Sequence, residues 1–223
     1  MSFKKENMKK NMRVATFAVI LITASIIILA QNRGDQPVIT ADQVNKSIQD
    51  FAKLITPQTA ESFGLKSADQ LKQLSAGKQF KKFMIGLDDV KNYQSTTDMN
   101  SIIKELDVVE VAIVDQAGQI QTAIEFTRNN GRWEASGFGL SPDLRRVKDA
   151  QSSIPDSVFK SSRLITIPAL RTTFLAAGEG TNTKFYVLEN NDRLELRKGA
   201  ALSPADALQK LKMSANEYNG LPD

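Results

Sequence analysis

Val108–Gly139 reads VVEVAIVDQAGQIQTAIEFTRNNGRWEASGFG, and the fold class turns on this stretch. Val108 to Val114 is a dense run of β-branched residues, the composition that suits a pleated, half-buried surface. Asp115-Gln116-Ala117-Gly118 supplies a turn, and Ile120, Thr122, Ile124 and Phe126 then alternate with polar residues at the period of a strand. Asn129-Asn130-Gly131 closes a second hairpin into residues 132–139, because Asn-Gly accepts the left-handed backbone that tight hairpins need. The stretch is therefore expected to be an antiparallel meander.

Downstream, Leu140-Ser141-Pro142 starts a helix with serine as N-cap and proline at the first helical position. Strands are expected at 162–167, 169–177, 184–189 and 193–197, with Gly178-Glu179-Gly180 and Asn190-Asn191-Asp192 as turns. Leu202-Ser203-Pro204 caps a final helix carrying Leu208, Leu211, Ala215 and Tyr218 on one side and stopped by Asn219-Gly220. The two halves rhyme. Asn129-Asn130 lies 61 residues before Asn190-Asn191, and Ser141-Pro142 lies 62 before Ser203-Pro204. Duplication of a meander-plus-helix unit accounts for this; so does convergence on common turn and cap chemistry.

Upstream, Thr40-Ala41-Asp42-Gln43 is a capping box, followed at helical spacing by Val44, Ile48, Phe51, Ala52 and Ile55. A short helix bearing Ala60 and Phe63 and stopped by Gly64 is expected next, then a second capping-box pattern at Ser67-Ala68-Asp69-Gln70. Residues 79–87 shift to strand character, with 89–94 as a weaker continuation, and Met99–Leu106 reads as a helical turn. The fold class is α+β: a helical segment, then two β-meander-plus-helix units divided as 40–139 and 140–223.

Ahead of this lies a different kind of chain. Residues 1–13 are a basic tail, and Val14–Ala30, VATFAVILITASIIILA, is 17 residues without a charge. As a helix it reaches about 25 Å, near the lower limit for a hydrocarbon core of about 30 Å. Basic residues before the run and few after it orient the N-terminus to the cytoplasm and the rest outside. Ile28 is bulky at the −3 position of a cut after Ala30, which favours a retained anchor; a cleaved signal peptide is the alternative. Residues 31–39, with Gly34 and Pro37, read as a linker.

The 223-residue chain carries a net +4, and its distribution matters more than its sum. Residues 1–33 hold six basic side chains against one acid; residues 34–223 hold 23 against 24, a net of −1. The exported part has no basic surplus to neutralise phosphates, so nucleic acid is not an expected partner. The chain contains neither Cys nor His, which excludes disulfides, thiolate metal sites, Ser-His-Asp catalysis and the HExxH zinc site.

The remaining constellations are generic. S-x-x-K occurs at Ser75/Lys78, Ser101/Lys104 and Ser157/Lys160, without the companion K-T-G. Gly137-Phe138-Gly139 lacks the third glycine of a dinucleotide loop and reads as a strand exit. The acids Asp88/Asp89 and Glu105, Asp107 and Glu110 read as turn and solvated-edge residues, since neighbours on a strand face opposite ways. Trp133, the lone tryptophan, and Arg145 and Arg146 on the middle helix are the candidate interface or ligand contacts. No catalytic set, metal or cofactor is expected.

The functional expectation is a single-pass protein held in the membrane through Val14–Ala30. Its extracytoplasmic domain binds an envelope protein partner as a scaffold or assembly module. That layout is similar to accessory subunits of envelope machines, including secretion and pilus assembly components, in arrangement and not in motif. An exported small-molecule or peptide-binding module is the alternative, with a carboxylate-dependent hydrolase behind it.

Overall fold

The computed structural model describes residues 38–218. The basic tail, the apolar run Val14–Ala30, all but the end of the linker, and the Asn219-Gly220 stop lie outside the described residues.

The domain is α+β, built on one eight-stranded mixed sheet in the order β4-β3-β2-β1-β5-β6-β7-β8. The strands are β1 Ser75–Ile85, β2 Ile103–Val114, β3 Ile120–Asn129, β4 Arg132–Phe138, β5 Arg163–Ile167, β6 Thr172–Ala177, β7 Lys184–Val187 and β8 Ala201–Leu202. Each neighbouring pair is antiparallel except the central one. β1 runs parallel to β5, with Lys82 beside Leu164, Phe83 beside Ile165 and Met84 beside Thr166. Two meanders thus meet along a parallel seam, and strands from both sides of residue 139 belong to one sheet.

Helices cover both faces. They are α1 Ala41–Ala52, α2 Leu87–Lys91, α3 Met99–Ile102, α4 Pro142–Ala150, α5 Asp156–Ser161 and α6 Pro204–Glu217. Strand alternation divides the core between them. On one face Leu144, Val147 and Ala150 of α4 pack with Phe80, Ala112, Ala123, Leu164 and Leu175. On the other, Leu208, Leu211 and Ala215 of α6 pack with Ile165, Ile167, Phe174, Phe185 and Val187. Both helices start as expected: the Ser141 and Ser203 hydroxyls accept from Leu144 N–H and Asp206 N–H, each with proline next.

The segment before β1 forms a third cluster, in which Ile55, Ala60, Leu65 and Leu71 pack with Ile48, Phe63 and Phe138. The Thr40–Gln43 capping box closes both ways, at 3.3 Å and 2.9 Å. Gly64 has φ +81°, and a Cβ there would stand 2.8 Å from the Gln121 carbonyl oxygen, so glycine alone lets this turn approach β3.

Several expectations are corrected. Residues 89–94 are not strand: Leu87 and Val90, three apart, turn inward on α2, with Asp88 and Asp89 in its first turn and Lys91 in its last. The helical turn at 99–106 stops at Ile102, and β2 begins at Ile103, earlier than the β-branched run suggests. The strand expected from Ala169 is delayed to Thr172, because Pro168 opens a 3₁₀ turn and Arg171 takes φ +45°. Residues 193–197 alternate like a strand but form a tight reversal bridged Asn191 to Leu196, with Glu195 at φ +51°. β7 ends at Val187, and its outer partner is the two-residue β8 beside the Ser203 cap.

Among the described residues one buried hydroxyl is left without a partner. Thr122 on β3 is fully buried, and its Oγ1 makes no hydrogen bond. A hydroxyl removed from water with nothing in exchange costs about 1–3 kcal/mol. Thr122→Val is therefore expected to raise unfolding stability by about 1 kcal/mol, read as an increased urea midpoint at unchanged slope.

Candidate functional site

The largest polar constellation of the described residues sits on the α4 face of the seam, where alternation would put apolar side chains. Lys82 lies in phase with Phe80 on β1. Between Lys81 and Phe83 the β1–β2 register shifts, from Lys81 opposite Val109 to Phe83 opposite Glu105. Such an irregularity re-aims the side chain it carries. The Lys82 ammonium lies 2.9 Å from Glu110 Oε1 on β2 and 3.2 Å from Asp143 Oδ2 in the first turn of α4.

Hydroxyls complete the shell. Ser141 Oγ donates to Glu110 Oε2 at 2.8 Å while accepting from Leu144 N–H, so one side chain caps α4 and holds the acid. Thr173 on β6 donates to Asp143 Oδ1 at 2.6 Å, and Thr166 on β5 donates to Asp143 Oδ2 at 3.3 Å. Arg146, one turn along α4, reaches Asp143 Oδ1 at 3.4 Å and Glu189 Oε1 at 2.9 Å. The network draws on both meanders and on the helix between them.

Burial sets its electrostatics. The side chains of Lys82, Glu110 and Asp143 are 15%, 1% and 13% exposed. Burial disfavours the Lys82 ammonium, but attraction to Glu110 and then Asp143 outweighs it and holds Lys82 above its ordinary pKa. Burial likewise pushes Glu110 up, and the opposing pull of Lys82 and the Ser141 hydrogen bond offsets only part of the rise. Glu110 is therefore not the solvated-edge acid its neighbours suggest. It occupies the inward phase of β2 shared with Ala112, and Lys82 makes that placement tolerable.

The sequence-derived candidates do not share one environment. Arg146 belongs to this network, half-buried and ion-paired, whereas Arg145 beside it is exposed. Trp133 is half-buried on β4, across from Arg128, at the outer edge of the sheet. Of the S-x-x-K residues, Ser101 donates to Asp98 O, Lys104 faces Asp89 at 3.8 Å, and Lys78 donates to Lys160 O. In the Gly137-Phe138-Gly139 segment, Phe138 stacks on Phe51 at 4.8 Å and the Gly139 N–H goes to Ala123 O, as a strand exit requires. Among the described residues no group of three or more acids is placed to hold a metal ion.

Beside the network, Thr173, Glu189, Asn191 and Leu196 help line a pocket of about 10 Å³, room for about one water. The sequence did carry a signal for the network. A lysine in phase with Phe80 and a glutamate inside a β-branched run are opposite charges at inward positions of two strands joined only by short helices.

No family model, curated protein or solved structure matches the chain.

Proposed function

We propose that this chain is a single-pass membrane protein whose extracytoplasmic domain works by binding, as a scaffold or assembly module of the cell envelope. The carrying observation is the uncharged run Val14–Ala30 directly behind a basic cluster, followed by a domain of near-zero net charge. The buried network supports a binding role over a reactive one. The Ser141 hydroxyl has its proton on Glu110 and a lone pair on Leu144 N–H, and the Lys82 ammonium is held between two carboxylates. These groups order the seam, and a rigid sheet presents its outer surface reproducibly. The proposal extends to ancestry. Two meanders, each followed by a Ser-Pro-capped helix and arranged in mirrored order about β1 and β5, support duplication of one unit.

The absence of cysteine makes the topology directly testable. Single cysteines at Ser2 and at the exposed turn residue Gln116 give one thiol per chain. In cells whose outer layer has been opened, a membrane-impermeant maleimide is expected to label Gln116→Cys, and Ser2→Cys only after the inner membrane is breached. Labelling of Ser2→Cys in sealed cells, or protection of Gln116→Cys, overturns the topology. Loss of Ser2→Cys from the mature chain overturns the retained anchor. Pull-down from solubilised membranes is expected to recover a stoichiometric partner.

A further inference from the structure

We infer that β4 is a self-association edge, on which a second copy of this chain adds its own β4 antiparallel about a twofold axis at Trp133. Among the described residues β4 is the outermost strand and pairs only with β3. Its hairpin closes through Asn130 at φ +49° and Gly131 at φ +79°, with Asn129 opposite Arg132. Residues flanking a two-residue turn of this kind exchange both backbone hydrogen bonds. Alternation then points the N–H and C=O of Arg132 and Glu134 at β3, and those of Trp133 away from the sheet.

That phase makes the sequence Arg132-Trp133-Glu134 self-complementary. A twofold axis at Trp133 sets Trp133 opposite itself as a hydrogen-bonded pair, with Cα atoms about 5.5 Å apart. It also sets Arg132 opposite Glu134 of the second copy, twice, in the closer non-hydrogen-bonded positions at about 4.5 Å. Arg132 and Glu134 are exposed, and neither belongs to an ion pair among the described residues. Charge on an edge strand is the usual defence against pairing, but it repels when like charges meet. Opposite signs two residues apart attract under this axis.

The window has natural ends. The β3–β4 register shifts between Glu125/Gly137 and Phe126/Ala135, so Ser136 is the bulged residue and the regular pairing between turn and bulge is Arg132–Ala135. The contact is isologous, closing as a dimer without propagating. At the far edge of the sheet β8 has two residues, too few to compete. The inference goes beyond the tethering proposal and does not depend on it: the edge belongs to the described domain, and topology labelling and self-association fail independently.

The test is sedimentation equilibrium of the full chain in detergent over a concentration series. A monomer–dimer equilibrium is expected for the parent. Arg132→Glu and Glu134→Arg each set like charges opposite one another twice, and each is expected to weaken the dimer at least about tenfold. The double reversal restores opposite signs and should return Kd to within about threefold of the parent. Trp133→Cys, the sole thiol of its chain, should give a disulfide-linked dimer when a two-electron thiol oxidant such as diamide is added, since the axis places it opposite its own copy. Unfolding midpoints of the Arg132 and Glu134 variants, both at exposed positions, should stay at the parental value when all are compared as dilute monomers. A monomer at every concentration, a dimer indifferent to both single reversals, or a double reversal that does not recover overturns the inference.

Discussion

Lys82→Met is expected to destabilise the domain by about 3–5 kcal/mol at neutral pH, measured as a fall in the urea midpoint. Methionine fills much of the same volume, so the loss is electrostatic. Glu110 and Asp143 are left as two carboxylates in a largely buried site, with hydroxyl donors and Arg146 but without the ammonium between them. The pH profile separates this cause from packing. Burial already pushes Glu110 up, and protonating it removes an unpaired charge, so the deficit should shrink as pH falls toward the ordinary glutamate range. A deficit constant with pH would refute the assignment. Combining Lys82→Met with Glu110→Gln should recover part of the loss, because the two residues act as a pair.

The parent protein has the matching profile. Its Lys82 pKa lies above the ordinary 10.5, so the native state holds that proton more tightly than the unfolded chain. This stabilisation is fully present below the ordinary lysine value and lost as pH rises through the native one. Glu110, also raised, works in the other direction. The native state keeps its proton above the ordinary 4.5, so stability declines as pH climbs through the window just above that value.

Phe174→Ala is expected to cost about 3–5 kcal/mol by a different route. Phe174 on β6 is fully buried, its ring 5.4 Å from that of Phe185 on β7, and both rings lie in the core that α6 covers. Truncation loses the transfer energy of the ring and leaves a cavity that two hydrogen-bonded strands cannot close. Phe174→Leu should lose much less, and this deficit should be flat with pH where that of Lys82→Met is not. Against a typical stability of about 5–15 kcal/mol, either substitution takes a large share.

Local chemistry was legible in the sequence at most of its short motifs, though not at Ser67, which makes no side-chain cap bond to its 3₁₀ turn while Gln70 Oε1 accepts from Lys66 N–H. The capping box at Thr40, the Ser-Pro starts at Ser141 and Ser203, and the Asn-Gly turn at Asn130 fold as their chemistry dictates. Alternation was a poorer guide where a backbone constraint competed with it. Pro168 and the left-handed Arg171 cut short one apparent strand, and Leu194 and Leu196 are buried from a bridged reversal, not from a ladder. The parallel pairing of β1 with β5 has no local signature, because it is settled by which faces α4 and α6 cover. The buried network was half visible: Lys82 and Glu110 sit in the inward phase of their strands, but that they meet depends on the β1–β2 register shift. Asp143 joins them only because α4 crosses the sheet above the seam.

The parallel seam also governs the order in which the domain can be completed. Lys82 and Leu164 are neighbours in the sheet although 82 residues separate them along the chain. During synthesis the first meander emerges with the inner edge of β1 open, and no later strand of that half can close it. Loop closure over so long a separation is slow, and the open edge is exposed while it waits. Until β5 and β6 arrive, Asp143 also lacks the Thr166 and Thr173 hydroxyls. A chain released before residue 163 would carry an open β1 edge and an unfinished charge site, the kind of exposed strand edge on which incomplete chains associate.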